Sequence, residues 1–257
     1  MTTSNTVAPL PWPALTSTGP STTTVGLVAD ASALGPARHA ADRLGLGLTV
    51  FDPSRDDGGD LAALLGFASG CDAVSVDPAL VGPDRLPPGH LDALRDAGHR
   101  VWPDPVAVRL SQDRAFARSA LGLAGFPVTA GTGDGAGAGR ARLSVLVARR
   151  PAGWWRARVT APAGDGPVLR TTTLAEARAL AVSVADGLGA VGALAVDLAL
   201  TASSGLAVAG VTAGPRPPVA RGVDAAMDHL TALLDRPFTG GTGAGRAQEA
   251  AAVVERP

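Results

Sequence analysis

Short apolar runs alternate with segments of helical spacing throughout residues 24–128. The predicted strands are 25–30, 48–53, 71–78 and 99–105. The predicted helices are 34–46, 61–69, 90–97 and 106–124. Strands that alternate with helices run parallel, because each helix returns the chain to the same end of the sheet. We therefore predict a parallel, doubly wound α/β domain over residues 24–128.

The remainder of the chain follows a different pattern. Residues 129–142 are glycine-rich and almost devoid of large apolar side chains, which predicts a linker. Paired strands are predicted next, at 143–150 with 154–162 and at 192–201 with 205–212, and helices at 174–188 and 223–234. This pattern predicts an α+β domain over 143–240. The Thr/Ser/Pro-rich residues 1–23 are predicted to be disordered, and residues 241–257 to be a flexible tail with a short helix at 248–254.

All 22 basic residues are arginines, and the chain contains no tyrosine. Without lysine there is no Walker phosphate loop and no Schiff-base nucleophile. A bound nucleotide would be held by guanidinium groups, backbone N–H groups or helix ends. The net charge of −1 gives no long-range attraction for nucleic acid or an anionic membrane, so neither is expected as a partner.

The cysteine and histidine content excludes several site types. The single cysteine, Cys71, rules out an internal disulfide and a cysteine-based zinc site, and its apolar flanks predict buried packing. The histidines lack metal-ligand spacing and are expected at helix ends or on the surface; they are His39, His90, His99 and His229. No apolar run approaches the roughly 20 residues of a membrane helix. The N-terminus does not resemble a signal peptide, so we expect a cytoplasmic protein.

Six arginines lie between Arg140 and Arg158, with Trp154 and Trp155 among them. Arginine beside tryptophan can stack on bases or bind anions. The stretch is equally compatible with a solvated face of a hairpin, and the near-neutral chain favours that interpretation. Neighbouring side chains on a strand point to opposite faces, so we expect one tryptophan in the core and the other exposed or at an interface.

Several segments, taken in order, resemble one enzyme family. They are VWPDPVAVRLSQDRAFARSALGLAGFPV (101–128), LSVLVARR (143–150), the hairpin region 188–217 and HLTALLDRPF (229–238). Together they are similar to N5-carboxyaminoimidazole ribonucleotide synthases, PurK-type enzymes of the ATP-grasp superfamily. The resemblance implies a Rossmann-like pre-ATP-grasp domain followed by a partial ATP-grasp domain. It also implies the family reaction, the ATP-dependent carboxylation of aminoimidazole ribonucleotide by bicarbonate through carboxyphosphate.

The sequence departs from the family where the lid subdomain should be. In the family, a long segment before the SVLVAR-like strand forms this lid and carries lysines and a glycine-rich loop that cover ATP. Here Gly131–Arg140 replaces it, so we expect a degenerate chain that lacks the lid. The family's C-terminal subdomain is also expected to be missing beyond about Thr242.

The resemblance assigns a small set of candidate site residues. Asp197 matches the first of two carboxylates that hold Mg²⁺, and the second falls at Gly210, which offers no ligand. Asp197 is equally compatible with a polar position that alternates with apolar ones along a half-exposed strand. Arg149 and Arg150 are candidate nucleotide contacts. Arg216 survives from a Pro-Arg-Pro-His-Asn-Ser-Gly stretch that meets the ribonucleotide in the family, although a solvated loop arginine is equally compatible.

Two further departures concern the nucleotide side of the cleft. Asp30 stands in the first loop, where an incoming phosphate would meet a like charge. The predicted 106–124 helix carries Gln112, Asp113 and Arg114. In the relatives this helix borders the nucleotide cleft, so these residues are compatible either with nucleotide binding or with packing of the helix.

These observations lead to three functional hypotheses. The first is a pseudoenzyme without ATP-dependent ligase activity and with no expected cofactor. It would act as a binding or partner protein, as a homodimer through the first domain or with a purine-pathway protein. The alternative is an active carboxylating synthase that uses ATP and Mg²⁺. A third option is a small-ligand sensor that uses the cleft between the two halves.

Overall fold

The computed structural model describes residues 22–30, 34–54, 60–129, 142–151, 155–160, 171–201, 205–214 and 223–236. Its strands are β1 (Thr24–Val28), β2 (Gly47–Phe51), β3 (Ala73–Val76), β4 (Val101–Trp102), β5 (Arg142–Arg149), β6 (Trp155–Thr160), β7 (Gly192–Thr201) and β8 (Gly205–Ala213). Its helices are α1 (Leu34–Leu44), α2 (Leu61–Ser69), α3 (Pro88–Asp96), α4 (Pro105–Gln112), α5 (Arg114–Leu123), α6 (Thr171–Gly187) and α7 (Val223–Leu233). The expectations for residues 1–21, for most of the linker and for the tail fall outside the described residues.

The first sheet is parallel and has the order β2-β1-β3-β4. Its two central strands are almost wholly apolar and buried, as expected for strands that are covered on both faces. The order of the strands reverses direction between β1 and β3, so the carboxyl ends of these two strands flank the switch point of the sheet. The α/β prediction for this half is confirmed.

The predicted helix over 106–124 is wrong, because two helices meet at Asp113. The Asp113 carboxylate accepts hydrogen bonds from the N–H groups of Ala115 and Phe116, each at 2.9 Å. Its own N–H donates to the carbonyl of Arg109 at 2.8 Å. Asp113 therefore ends α4 and caps the N-terminus of α5.

The second sheet is antiparallel and has the order β6-β5-β7-β8, which confirms both predicted hairpins. Its two faces pack against different helices. The face that carries Val145 and Val147 shares an apolar cluster with Ala177 of α6. The face that carries Leu146 packs against Ala225 of α7. We call these the α6 face and the α7 face.

The two halves share one core. A single apolar cluster includes Val25 and Trp102 from the first sheet, Leu143 and Val196 from the second, and Leu230 from α7. The outer edge of β8 is covered as well. The Val208 N–H donates to the carbonyl of Pro127 at 2.7 Å, and the Ala213 N–H donates to Ser111 Oγ of α4 at 2.6 Å. Within the described ranges, no helix has the length and apolar character needed to cross a bilayer.

Candidate metal and nucleotide site

A polar row crosses the α7 face of the second sheet. The strand register places Ser144 beside Asp197 and Asp197 beside Gly210. Asp197 is half-buried and Ser144 is buried. Side chains that are directly opposite on neighbouring strands lie close together on one face. Asp197 is the one carboxylate of this row.

Gly210 lies directly opposite Asp197, at the position where the resemblance to the family places a second carboxylate. A Cβ atom built on Gly210 would stand 3.8 Å from Asp197 Oδ2, which is an ordinary van der Waals distance. The register shifts next to this pair, because Leu198 pairs with Val208 and leaves Ala209 as an extra residue. Such bulges often re-aim a side chain next to a functional site. In the part of the chain that the structure describes, no group of three or more His, Cys, Asp or Glu side chains could hold a metal ion.

The glycine-rich connector begins and ends beside the polar row. The N–H of Thr129 donates to the carbonyl of Val208 at 3.0 Å, two positions from Gly210. The chain is described again from Arg142, which pairs with Ala199, two positions from Asp197. Residues 130–141 alone connect these points. The segment identified from the sequence as the replacement of the lid therefore joins the sheet at the Asp197 end.

Arg149 lies on the opposite side of the sheet from Asp197. Its Nε donates to Asp186 Oδ1 of α6 at 2.7 Å, and its NH1 group donates to the carbonyl of Ala190 at 3.3 Å. These partners place the guanidinium on the α6 face. Since Asp197 lies on the α7 face, the two side chains cannot share one ligand.

Arg150 lies at the far end of the sheet. It follows Ser144 by six positions, about 20 Å along an extended strand. Its Nε donates to Asp235 Oδ1 at 2.9 Å, and its NH2 group donates to the carbonyl of the same residue at 2.8 Å. The structure therefore does not bring Arg150 together with Asp197. Arg216 lies outside the described residues, and Asp30 is half-buried after β1.

Solved structures with this architecture include N5-carboxyaminoimidazole ribonucleotide synthetases. The enzyme from Thermotoga maritima is 16% identical, with a TM-score of 0.67 over 84% of this chain and 77% of that one. The chain has the fold of these synthetases. The Aspergillus clavatus enzyme, solved with ADP and 5-aminoimidazole ribonucleotide, is 13% identical, with a TM-score of 0.66 over 85% of this chain and 78% of that one. The Thermus thermophilus enzyme is 18% identical, with a TM-score of 0.62 over 84% of this chain and 79% of that one.

Comparison of sequences alone finds no such relative. No family model matches the sequence, and no curated protein matches it. The synthetase fold is thus retained with low sequence identity to the structures that share it. The shared fold supports the α/β architecture that the resemblance of residues 101–128 and 188–217 implied. The second of these segments contains the hairpin that carries Asp197 and Gly210.

Within the synthetase fold, the arginines of β6 are held by α7. Arg156 NH1 donates to Asp228 Oδ1 at 3.0 Å, and Arg158 Nε donates to Asp228 Oδ2 at 2.7 Å. The side chains of Arg156 and Asp228 are 7% and 6% exposed. The expectation of a solvated arginine face is wrong for these two residues, because both donate to the carboxylate of Asp228, which lies 70 positions beyond Arg158. Burial raises the pKa of Asp228, and the guanidiniums of Arg158 and Arg156 oppose that rise.

His229 is a buried residue that the sequence analysis expected at a helix end or on the surface. It is 2% exposed, and burial lowers its pKa from 6.5 to about 3. Its Nδ1 accepts a hydrogen bond from the Ala193 N–H at 3.1 Å, and its Nε2 lies 2.9 Å from Ser75 Oγ. The neutral ring therefore carries its proton on Nε2 and donates to Ser75. This polarity is the reverse of a serine–histidine catalytic pair, in which the histidine accepts the serine proton.

Cys71 is not an activated nucleophile. It is half-buried, and its Sγ lies 3.3 Å from Thr49 Oγ1. Burial raises the pKa of the thiol. A reactive cysteine needs a lowered pKa, so the packing role expected from the sequence fits this environment.

Proposed function

We propose that this chain is a relative of the ATP-grasp synthetases of purine biosynthesis that has lost ATP-dependent ligation and acts as a binding or partner protein. The observation that carries the proposal is the pairing of Asp197 with Gly210. Where the resemblance calls for two carboxylates side by side, this chain has one.

A single carboxylate is a poor holder of Mg·ATP when the phosphates lack cationic contacts of their own. Mg²⁺ requires a nearly octahedral shell of oxygen ligands and is usually bound by one or two carboxylates together with substrate phosphates. Those phosphates would themselves need cationic contacts close to the metal. Phosphoryl transfer depends almost entirely on such positioning and charge neutralisation. The described residues around Asp197 therefore do not fit the Mg·ATP complex of the family.

The available cations support the same conclusion. The chain has no lysine, and four arginines near the sheet are bonded to carboxylates: Arg149, Arg150, Arg156 and Arg158. Each missing charge-stabilising element typically costs about 10²-fold or more in rate. The absence of the second carboxylate and of the lysines should together remove useful turnover.

The proposed partner role rests on the first half of the chain. The parallel sheet and its helices are intact, and the resemblance implies dimerisation through this half. We therefore propose self-association, or association with a purine-pathway protein, through the first half of the chain. Light scattering of the purified protein tests self-association, and a monomer that recovers no such protein from a native extract would contradict the proposal.

Nucleotide binding and turnover test the loss of activity. We expect no heat of binding for ATP with Mg²⁺ in titration calorimetry. We also expect no ADP release with aminoimidazole ribonucleotide and bicarbonate, with the Thermotoga maritima synthetase as the positive control. Micromolar affinity for ATP would contradict the proposed loss of function. ADP release that depends on aminoimidazole ribonucleotide and bicarbonate, and that is lost in Asp197→Asn, would favour the alternative, an active carboxylating synthase that uses ATP and Mg²⁺.

A further inference from the structure

Helix α7 is shared by the two sheets. Ala225 packs on the α7 face of the second sheet. Ala226 and Leu230 belong to the cluster that also contains Val25 of β1 and Ala40 of α1. The helix therefore lies between the two halves of the molecule, and its polar side chains can fix how these halves are oriented.

His229 uses both ring nitrogens for this purpose. Nδ1 accepts the N–H of Ala193 on β7, in the second sheet, at 3.1 Å. Nε2 donates to Ser75 Oγ on β3, in the first sheet, at 2.9 Å. One buried imidazole thus links a strand of each sheet, across 154 positions of sequence.

The surroundings of His229 leave little room for movement. The Trp102 ring of β4 meets the imidazole edge-on, with 4.5 Å between ring centroids. A Cβ atom on Gly192 would stand 2.8 Å from Trp102 Nε1 and 3.1 Å from His229 Cε1. Gly192 also has a φ of +84°, which disfavours other residues. Strands of both sheets and α7 therefore converge on this one ring.

We propose that His229 is a joint that fixes the two sheets in one orientation, so that the two halves move as one body and do not open and close around a ligand. Apolar contacts are non-directional and tolerate sliding. Buried hydrogen bonds demand a defined geometry, because a displaced donor or acceptor is left unsatisfied. The Ser75–His229 contact selects one orientation from those that the apolar contacts alone would permit.

The segment that follows His229 adds a second contact between the halves. Arg236 NH2 donates to Thr23 Oγ1 at 2.8 Å, and its NH1 group lies 3.5 Å from the carbonyl of Leu44. This contact lies beside the start of β1. Two separated polar contacts restrain rotation better than one, so the joint acts together with Arg236.

Distance measurement between spin labels tests the joint directly. Labels are attached at Asp96→Cys on α3 and Ala179→Cys on α6, both exposed positions, in a Cys71→Ser background. Ser75→Ala removes the contact from the first sheet. His229→Asn removes it from α7, while its amide oxygen can still accept the Ala193 N–H. Leu198→Ala, a core change within the second sheet, is the matched control for lost stability.

We expect a single narrow distance for the unaltered joint and for Leu198→Ala. Ser75→Ala and His229→Asn should each lose that single narrow distance, and the double variant should broaden it no further, since both changes remove the same contact. A distance that stays narrow in both single variants would overturn the proposal. If His229→Asn fails to fold, Ser75→Ala decides the outcome alone.

Discussion

Asp197 of β7 faces Gly210 of β8, and a side chain begun at Gly210 would start 3.8 Å from Asp197 Oδ2. The backbone places these two positions side by side, and of the two Asp197 alone carries a carboxylate. Gly210 can therefore take a side chain beside Asp197 without a clash, next to the bulge at Ala209.

Gly210→Asp should create a divalent-cation site with Asp197. The new Cβ enters at ordinary contact distance, and two neighbouring carboxylates provide the oxygen ligands that Mg²⁺ and Mn²⁺ favour. We expect Mn²⁺ binding to rise at least about 10-fold, equal to about 1.4 kcal/mol, as measured by titration calorimetry or by the Mn²⁺ spin-resonance signal.

Gly210→Ala and the double variant Asp197→Asn/Gly210→Asp are the controls. The first adds a side chain without a ligand, and the second keeps one carboxylate only. Both should bind Mn²⁺ as weakly as the unaltered chain. Equal binding by Gly210→Asp and Gly210→Ala would show that this pair of positions does not form a metal site.

Local patterns in the sequence were sufficient to predict most strands and helices. Alternating apolar runs located both sheets, and the hairpin containing Asp197 was correctly paired. The sequence did not reveal that the helix ends at Asp113, because the residues on both sides of Asp113 continue the helical spacing. Aspartate is nevertheless a favoured N-cap residue, and here its carboxylate accepts the first free N–H groups of α5. Helix periodicity alone does not reveal a cap inside an apparently continuous pattern.

Contacts distant in sequence were not predictable in the same way. Arg156 and Arg158 were expected on a solvated face, yet both form ion pairs with Asp228. His229 sits on a short helix, and nothing local indicates that Ser75 will meet it. For the same reason, spacing alone could not show that Arg149 faces away from Asp197, since that result depends on which helix covers which face of the sheet.

Acidification should destabilise the fold through His229. Burial lowers its pKa from 6.5 to about 3, so the unfolded chain binds a proton at His229 before the folded chain does. The stabilising contribution is complete above pH 6.5 and decreases as the pH falls towards 3. Between pH 7 and pH 5 we expect a loss of about 2 kcal/mol from this group. Urea unfolding at both pH values, compared with His229→Asn, should show a smaller loss in the variant; equal losses would contradict the assignment.

Asp228→Asn should destabilise the protein strongly. The change leaves the buried Arg156 and the half-buried Arg158 without their shared carboxylate, and breaking a buried ion pair costs about 3–5 kcal/mol. Asp224→Asn is the matched control on the same helix. Asp224 is 44% exposed and lies 3.8 Å from Arg158, so its loss should cost less than about 1 kcal/mol. Urea unfolding compares the two, and similar costs would show that burial does not set the strength of this contact.

Substitutions of Asp235 should separate backbone strain from charge. Asp235 has a φ of +55°, a conformation that glycine adopts freely, asparagine tolerates and alanine disfavours. All three replacements lose the bond between the Asp235 carboxylate and Arg150, worth about 1 kcal/mol for a partly exposed pair. Only Asp235→Gly also relieves the backbone strain at this position, which stabilises the fold by about 1 kcal/mol. We therefore expect stability in urea to be highest for Asp235→Gly, which should be close to the unaltered chain, lower for Asp235→Asn and lowest for Asp235→Ala.

If Asp235→Gly is instead the least stable variant, the carboxylate contributes more than the backbone strain costs. The ion pair with Arg150 would then stabilise the fold by more than a partly exposed pair usually does.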